Sequence, residues 1–233
     1  MRHFLSLILI SIIQIAQAQN PADILRKHFE DYGQEQWNEV RTVVIDGKLV
    51  DKNYYAASMK LTFKQPDKIR VEGTYKGKKF AEAYDGTTGW IMAPWKNKYE
   101  VQYMKTEEEM ILSNSFCQGS PLYKFRDHLN FLGLKNMEGV VYLAFQLDET
   151  NYIHTFYLDK ENYRLYYEEI TSKYGSNTST ILKVIDKYKS YGKMLMPISM
   201  IFEGEDIYSE YVFDQVYLGM GANDNLFSYP ENR

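Results

Sequence analysis

Apolar residues fall on alternate positions through most of this 233-residue chain, and that period of two limits its fold more than anything else. Side chains point to opposite faces at successive residues of a strand, so alternation marks a sheet with one buried face. From about Val40 the pattern sets in, and Tyr55, Ala57, Met59, Leu61 and Phe63 form one such row. Ile69, Val71 and Gly73 continue it after a turn at Gln65-Pro66-Asp67. Phe80 to Tyr84, Trp90 to Met92 and Tyr99 to Tyr103 follow, separated by Lys76-Gly77, Asp85-Gly86 and Lys96-Asn97-Lys98. Later rows are Val141, Leu143, Phe145, Leu147 and then Tyr152, His154, Phe156, Leu158. Strands are also expected at Tyr163 to Thr171, Ser179 to Tyr191, Met196 to Glu203 and Ile207 to Tyr217. About eleven short strands joined by turns imply an antiparallel meander. The 21 Tyr, 12 Phe and 3 Trp residues suit pleated, half-buried surfaces.

Two stretches break the alternation. Ile24, Leu25, His28, Phe29 and Tyr32 recur at helical spacing after Pro21 and before Gly33, which predicts an opening helix. Thr106 with Glu109 reads as a capping box, with Glu107 and Glu108 in the first turn. One or two short helices are expected between Glu107 and Asn130, broken near Gly119-Ser120-Pro121. Leu122, Phe125, Leu129 and Leu132 supply the stripe of the second. A long antiparallel sheet tends to curl. The economical fold is therefore α+β, a bent sheet around these helices, its concave apolar row meeting helices or lining a pocket. Periodicity does not separate those two outcomes.

The N-terminus sets the compartment. Met1-Arg2-His3 precedes a dozen mostly apolar residues from Phe4 to Ile15, and Ala16-Gln17-Ala18 offers small residues where a leader peptidase cuts. The expectation is a signal peptide over residues 1–18, cleaved after Ala18, and one exported domain over 19–233. The residue after the cut is Gln19 rather than a lipid-accepting cysteine. Later segments hold no run long enough for a transmembrane helix, so no stable membrane insertion is expected.

Composition narrows the chemistry. A formal charge of −4 with mixed signs argues against nucleic-acid binding. Cys117 stands alone, which excludes an internal disulfide and reads as a small buried side chain rather than a nucleophile. Asn177-Thr178-Ser179 fits a glycosylation sequon, of consequence only in a eukaryotic secretory route. His28, His128 and His154 lie in no metal-ligand spacing. No nucleophile elbow, phosphate loop or dinucleotide fingerprint occurs. A non-enzyme without metal or cofactor is expected.

Two segments say more. Leu61-Thr62-Phe63-Lys64-Gln65-Pro66-Asp67-Lys68-Ile69-Arg70-Val71-Glu72 is followed by Ala83-Tyr84-Asp85-Gly86-Thr87-Thr88-Gly89-Trp90-Ile91-Met92-Ala93-Pro94-Trp95. The chain closes on Asp224-Asn225-Leu226-Phe227-Ser228-Tyr229-Pro230. Read alone, Asp85-Gly86 permits a tight turn, Gly89 leaves room for Trp90 to fold across it, and Pro94 suits a strand end. Together these segments resemble the periplasmic outer-membrane lipoprotein carriers (LolA-like), above all exported relatives in Bacteroidetes-type bacteria.

That resemblance implies a half-open antiparallel β-barrel whose mouth short helices cover, and a periplasmic carrier that shelters lipid or lipoprotein acyl chains and passes them between envelope partners. Cavity candidates under this reading are Met59, Leu61, Phe63, Val71, Phe80, Trp90, Met92, Phe145 and Phe156. In the classical carriers an arginine before the turn proline helps hold the lid. Gln65 occupies that place here and brings no charge, so Gln65 and the nearby cation Arg70 are the lid-latch candidates. The alternative reading is a non-catalytic envelope-assembly or protein-interaction module with no cavity ligand. A third is a hydrolase built from residues that converge only in space.

Overall fold

In the computed structural model, which describes residues 20–173, 179–205 and 207–230, all strands belong to one antiparallel sheet. The expected leader, its cleavage point after Ala18, and Asn177 and Thr178 of the sequon lie outside the described residues.

Helix α1 (Pro21–Tyr32) starts where Asn20 accepts a hydrogen bond from the Ala22 N–H (3.1 Å). It buries Ile24, His28 and Tyr32, one face at a spacing of four. Gly33 closes it in the left-handed conformation (φ 63°) that favours glycine. A second helix, α2 (Gln34–Glu39), follows at once. Its sequence, QEQWNE, carries a single apolar anchor, so periodicity gave no sign of it. That anchor, Trp37, is buried and donates from Nε1 to the Leu195 carbonyl (3.1 Å).

The first meander comprises β1 (Thr42–Asp51), β2 (Ala56–Lys64), β3 (Lys68–Tyr75), β4 (Lys78–Tyr84), β5 (Gly89–Ala93) and β6 (Lys98–Tyr103). The second comprises β7 (Asn130–Met137), β8 (Val140–Asp148), β9 (Tyr152–Asp159), β10 (Leu165–Ser172), β11 (Thr180–Tyr191), β12 (Met194–Glu203) and β13 (Tyr208–Leu218). Pairing of β1 with β13 fuses them in the order β6-β5-β4-β3-β2-β1-β13-β12-β11-β10-β9-β8-β7. β6 and β7 are the two margins and do not pair, so the sheet stays open.

That order dictates what fills the concave side. The chain leaves the sheet at one margin and must re-enter at the other. The crossover contains helix α3 (Thr106–Ser115) and the irregular run after it. It travels over the concave face, where Met110, Leu112, Phe116 and Leu122 join the main core. Inward rungs run across the strands. Ile45, Leu61 and Val71 continue through Glu82 to Ile91 in one half. Phe145, Phe156, Glu168, Lys183 and Phe202 form the matching rung in the other.

Three sequence expectations change. There are thirteen strands among the described residues, not about eleven. The second helix expected in the crossover is absent: residues 121–125 turn, Arg126–His128 is a short 3-10 helix, and Leu132 lies in β7. Four apolar residues at spacings of three and four fit such turns as well as a helix. The cap of α3 shifts by one residue, since Lys105 is the N-cap and the Glu108 carboxylate accepts its N–H (3.0 Å).

Candidate functional site

Where the crossover meets the sheet it leaves a cleft of about 1130 Å³. One wall is the β2–β3 turn, from Phe63 to Asp67, with Tyr84 beside it. Opposite stand residues 149–152 with His154, Phe156 and Glu168 from β9 and β10. The crossover supplies Glu109, Met110, Ser113, Asn114, Phe116, Cys117, Gln118, Ser120, Pro121 and Tyr123 to Phe125. Charges of both signs rim it, with Arg41, Lys64 and Lys124 among Asp67, Glu109 and Glu149. It is therefore amphipathic.

The crossover is pinned from three sides. The Glu109 carboxylate accepts the Gly89 N–H (2.7 Å), tying α3 to the β4–β5 hairpin. A side chain on Gly89 would strike Glu109 and Met104, so that glycine makes room for the crossover, not for Trp90 as the sequence suggested. Gln34 Oε1 accepts the Ser120 N–H (2.8 Å). Gly119 allows this approach, because its φ is +74° and a Cβ there would lie 2.3 Å from Gln34 Oε1. The third pin is His28. Its Nδ1 lies 2.6 Å from the Tyr163 carbonyl, which only accepts, so Nδ1 carries the proton. Nε2 then accepts from the Ser120 hydroxyl (2.5 Å).

Burial pushes the His28 pKa down to about 4, so the folded protein holds the ring neutral. A histidine depressed in this way contributes stability that is complete above about 6.5 and lost as pH falls toward 4. Between pH 7 and pH 4.5 this group alone should remove about 2–3 kcal/mol. His154 works in the opposite sense. Burial lowers its pKa, but the bond and charge of Glu168 raise it further, for a net rise. Urea unfolding of wild type and His28→Gln at both pH values isolates the His28 share. The variant should be weaker at pH 7 and show the smaller acid loss, and equal losses would refute the assignment.

Burial pushes the Glu168 carboxyl up, and Lys183 and His154 more than offset that, leaving it below its ordinary value. Glu168 Oε1 lies 2.9 Å from His154 Nδ1. Glu168 Oε2 lies 3.4 Å from Lys183 Nζ, which itself donates to the Asn114 carbonyl of α3 (2.7 Å). Glu168 is 1% and Lys183 2% exposed, so this is an interior ion pair at the edge of the cleft. Burial also pushes the Cys117 thiol up to about 11, which keeps it protonated and unreactive.

Of the apolar cavity candidates, Phe63 and Phe156 border the cleft. Met59, Leu61, Val71, Phe80 and Phe145 face the same side but belong to the packed core. Trp90 and Met92 sit on the outer face, because Trp90 and Met92 pair with Ala83 and Ala81 while Phe80 and Glu82 point inward. Ile91 takes the inward place. Of the latch candidates, Gln65 borders the cleft. Arg70 is on the outer face, bonded to Glu72 (2.8 Å) and to the Leu226 carbonyl (3.0 Å), and stacked 5.1 Å from the Trp90 ring centre. Trp90 Nε1 donates to the Phe227 carbonyl (2.9 Å). The segments that carry the family resemblance thus meet in a clamp on the C-terminal tail. Sequence reasoning passed over His28, Ser120, Glu168 and Lys183, although His154 already stood in an alternating apolar row.

Among the described residues no three His, Cys, Asp or Glu side chains gather as a metal set, and no helix is long and apolar enough to cross a membrane.

Neither protein-family models nor curated proteins give a match to the sequence. Solved structures do. A LolA superfamily protein from Nitrosomonas europaea superposes with a TM-score of 0.58 at 13% identity, covering 89% of this chain and 97% of that one. A DUF1329 family protein from Desulfovibrio piger gives 0.54 at 10% identity, covering 88% and 97%. At such identities the shared property is the fold.

Proposed function

We propose that this chain, whose fold is LolA-like, is an exported binder or carrier of lipid-like ligands, with a periplasmic working compartment and no catalytic role. The observation that carries the reading is the amphipathic cleft between the crossover and the open sheet. The leader-like residues 1–18 support export, and residues 19–233 would form the single mature domain. Ligand tails would lie against Phe63, Phe156 and Met110. Burial contributes about 0.8 kcal/mol per methylene, so a partly sheltered acyl chain supplies roughly 8–10 kcal/mol before entropy costs. Lipoprotein acyl chains are the finer form of this proposal, with an envelope donor and acceptor as partners.

A second reading has an observation of its own. Five of the cavity candidates are ordinary core, so much of the concave face is already filled. That favours a rigid platform for protein interaction. One experiment separates them: native mass spectrometry of protein taken directly from cells, lipid extraction, and titration with a fluorescent fatty acid. The carrier reading expects co-purified lipid and saturable uptake. Ser113→Trp, which fills the cleft, should weaken uptake at least tenfold, whereas Met92→Ala on the outer face leaves it unchanged. A protein that is lipid-free and takes up no probe favours the platform.

A further inference from the structure

We propose that the tips of three neighbouring hairpins form a basic, aromatic surface that docks on an anionic lipid bilayer. This goes beyond the cleft and does not depend on what fills it. In the first meander the β1–β2, β3–β4 and β5–β6 turns lie at one end, because successive strands pair antiparallel. Lys52 stands on the first tip, Lys76, Lys78 and Lys79 on the second, and Lys96 and Lys98 on the third. Tyr54 (78% exposed) and Tyr99 (57%) project from the first and third. Near these six lysines stand only the acids Asp51, Glu82, Glu100 and Glu108, on a chain whose overall charge is −4.

Most of those acids are engaged. Asp51 is buried and accepts from the Tyr75 hydroxyl (2.7 Å) and from the N–H groups of Asn53 (2.8 Å) and Tyr55 (3.0 Å). Glu82 pairs with Lys96 (3.1 Å) and Glu108 with Lys98 (2.5 Å). Lys52, Lys76, Lys78 and Lys79 are exposed and form no ion pair among the described residues. The Lys76 ammonium lies 5.1 Å from the Tyr55 ring centre and 5.2 Å from that of Tyr75, and the Lys78 ammonium 4.7 Å from that of Tyr99. Cations and phenol rings thus share one level, as they do in a headgroup layer. These turns hold lysine and no arginine, which suits phosphates of no fixed geometry better than the carboxylates of one docked protein. The neighbouring β12–β13 turn carries Glu203 and Glu205, so the basic surface stops at Tyr54, whose ring meets Tyr208 (5.8 Å). The β2–β3 turn that borders the cleft lies at the other end of the nine-residue β2, about 30 Å away at 3.3 Å per residue. Docked by its tips, the protein turns that wall of the cleft toward water.

The test is co-sedimentation of the whole protein with vesicles of phosphatidylcholine alone or with about one-third phosphatidylglycerol, at low and at high salt. Wild type should bind the anionic vesicles at low salt, leave them at high salt and ignore the neutral ones. Each lysine near an anionic bilayer is worth about fivefold in affinity. Lys76→Gln/Lys78→Gln/Lys79→Gln should therefore weaken binding about a hundredfold. Lys135→Gln/Lys160→Gln/Lys193→Gln removes the same charge from exposed sites elsewhere and should cost less than about threefold. Equal binding to neutral and anionic vesicles, or an equal loss in the two triple variants, overturns the docking surface. Wild type that ignores anionic vesicles at low salt overturns it too, and binding of soluble polyglutamate in their place would assign the lysines to an acidic protein. The cleft is judged separately, by uptake of the apolar probe.

Discussion

Truncating Phe116 to alanine should lower stability by about 3–5 kcal/mol and Tm by about 10 °C, while apolar-probe uptake persists or tightens. Phe116 is fully buried at the point where the crossover enters the core. Its ring lies 5.3 Å from Phe63 on β2, 6.4 Å from Phe213 on β13 and 6.5 Å from Trp37 on α2, each in the edge-on geometry that suits aromatic pairs. Removing it withdraws contacts from three elements that cannot all collapse inward, so a void remains. Because Phe116 also borders the cleft, that void adjoins the space offered to ligand. Stability and uptake therefore move in opposite directions. A variant that lost both together would mean that the cleft depends on the crossover's packing and is no preformed site.

Lys183→Met should be as damaging, at about 3–5 kcal/mol, and Glu168→Leu added to it should restore most of the loss. Methionine keeps most of the side chain's length, so packing changes little, although the ammonium 5.6 Å from the Phe202 ring centre is lost. What changes is that Glu168 stays buried with one partner in place of two, and the Asn114 carbonyl loses its donor. Chemical denaturation of the single and double variants measures the difference. A double variant no more stable than Lys183→Met would show that the loss came from packing rather than from a stranded charge.

Much of this architecture was legible in the residues. The α1 stripe, its stop at Gly33 and most strands follow from local periodicity alone. The crossover route did not, because nothing local in residues 104–129 reports that the margins they join lie at opposite ends of the sheet. Phase was the other failure. Trp90, Ile91 and Met92 are three apolar residues in a row, so alternation could not tell which faced in. The pairing of β5 with β4 decides for Ile91. Glu168 was hidden by the irregular register between Leu165 and Tyr167, which shifts the inward phase of β10. Lys183 was hidden because Leu182 and Val184 are as apolar as the inward Ile181 and Ile185. The matched motifs were conspicuous for a structural reason, the tail clamp, and so drew attention away from the cleft.

The open order of the strands gives the crossover a mechanical role. Running from one free margin to the other, it acts as the string of a bow whose limbs are the two meanders. Its contour length, rather than any seam of backbone pairing, limits how far those limbs spread. A few residues added to or taken from that cord would resize the hollow without touching a strand.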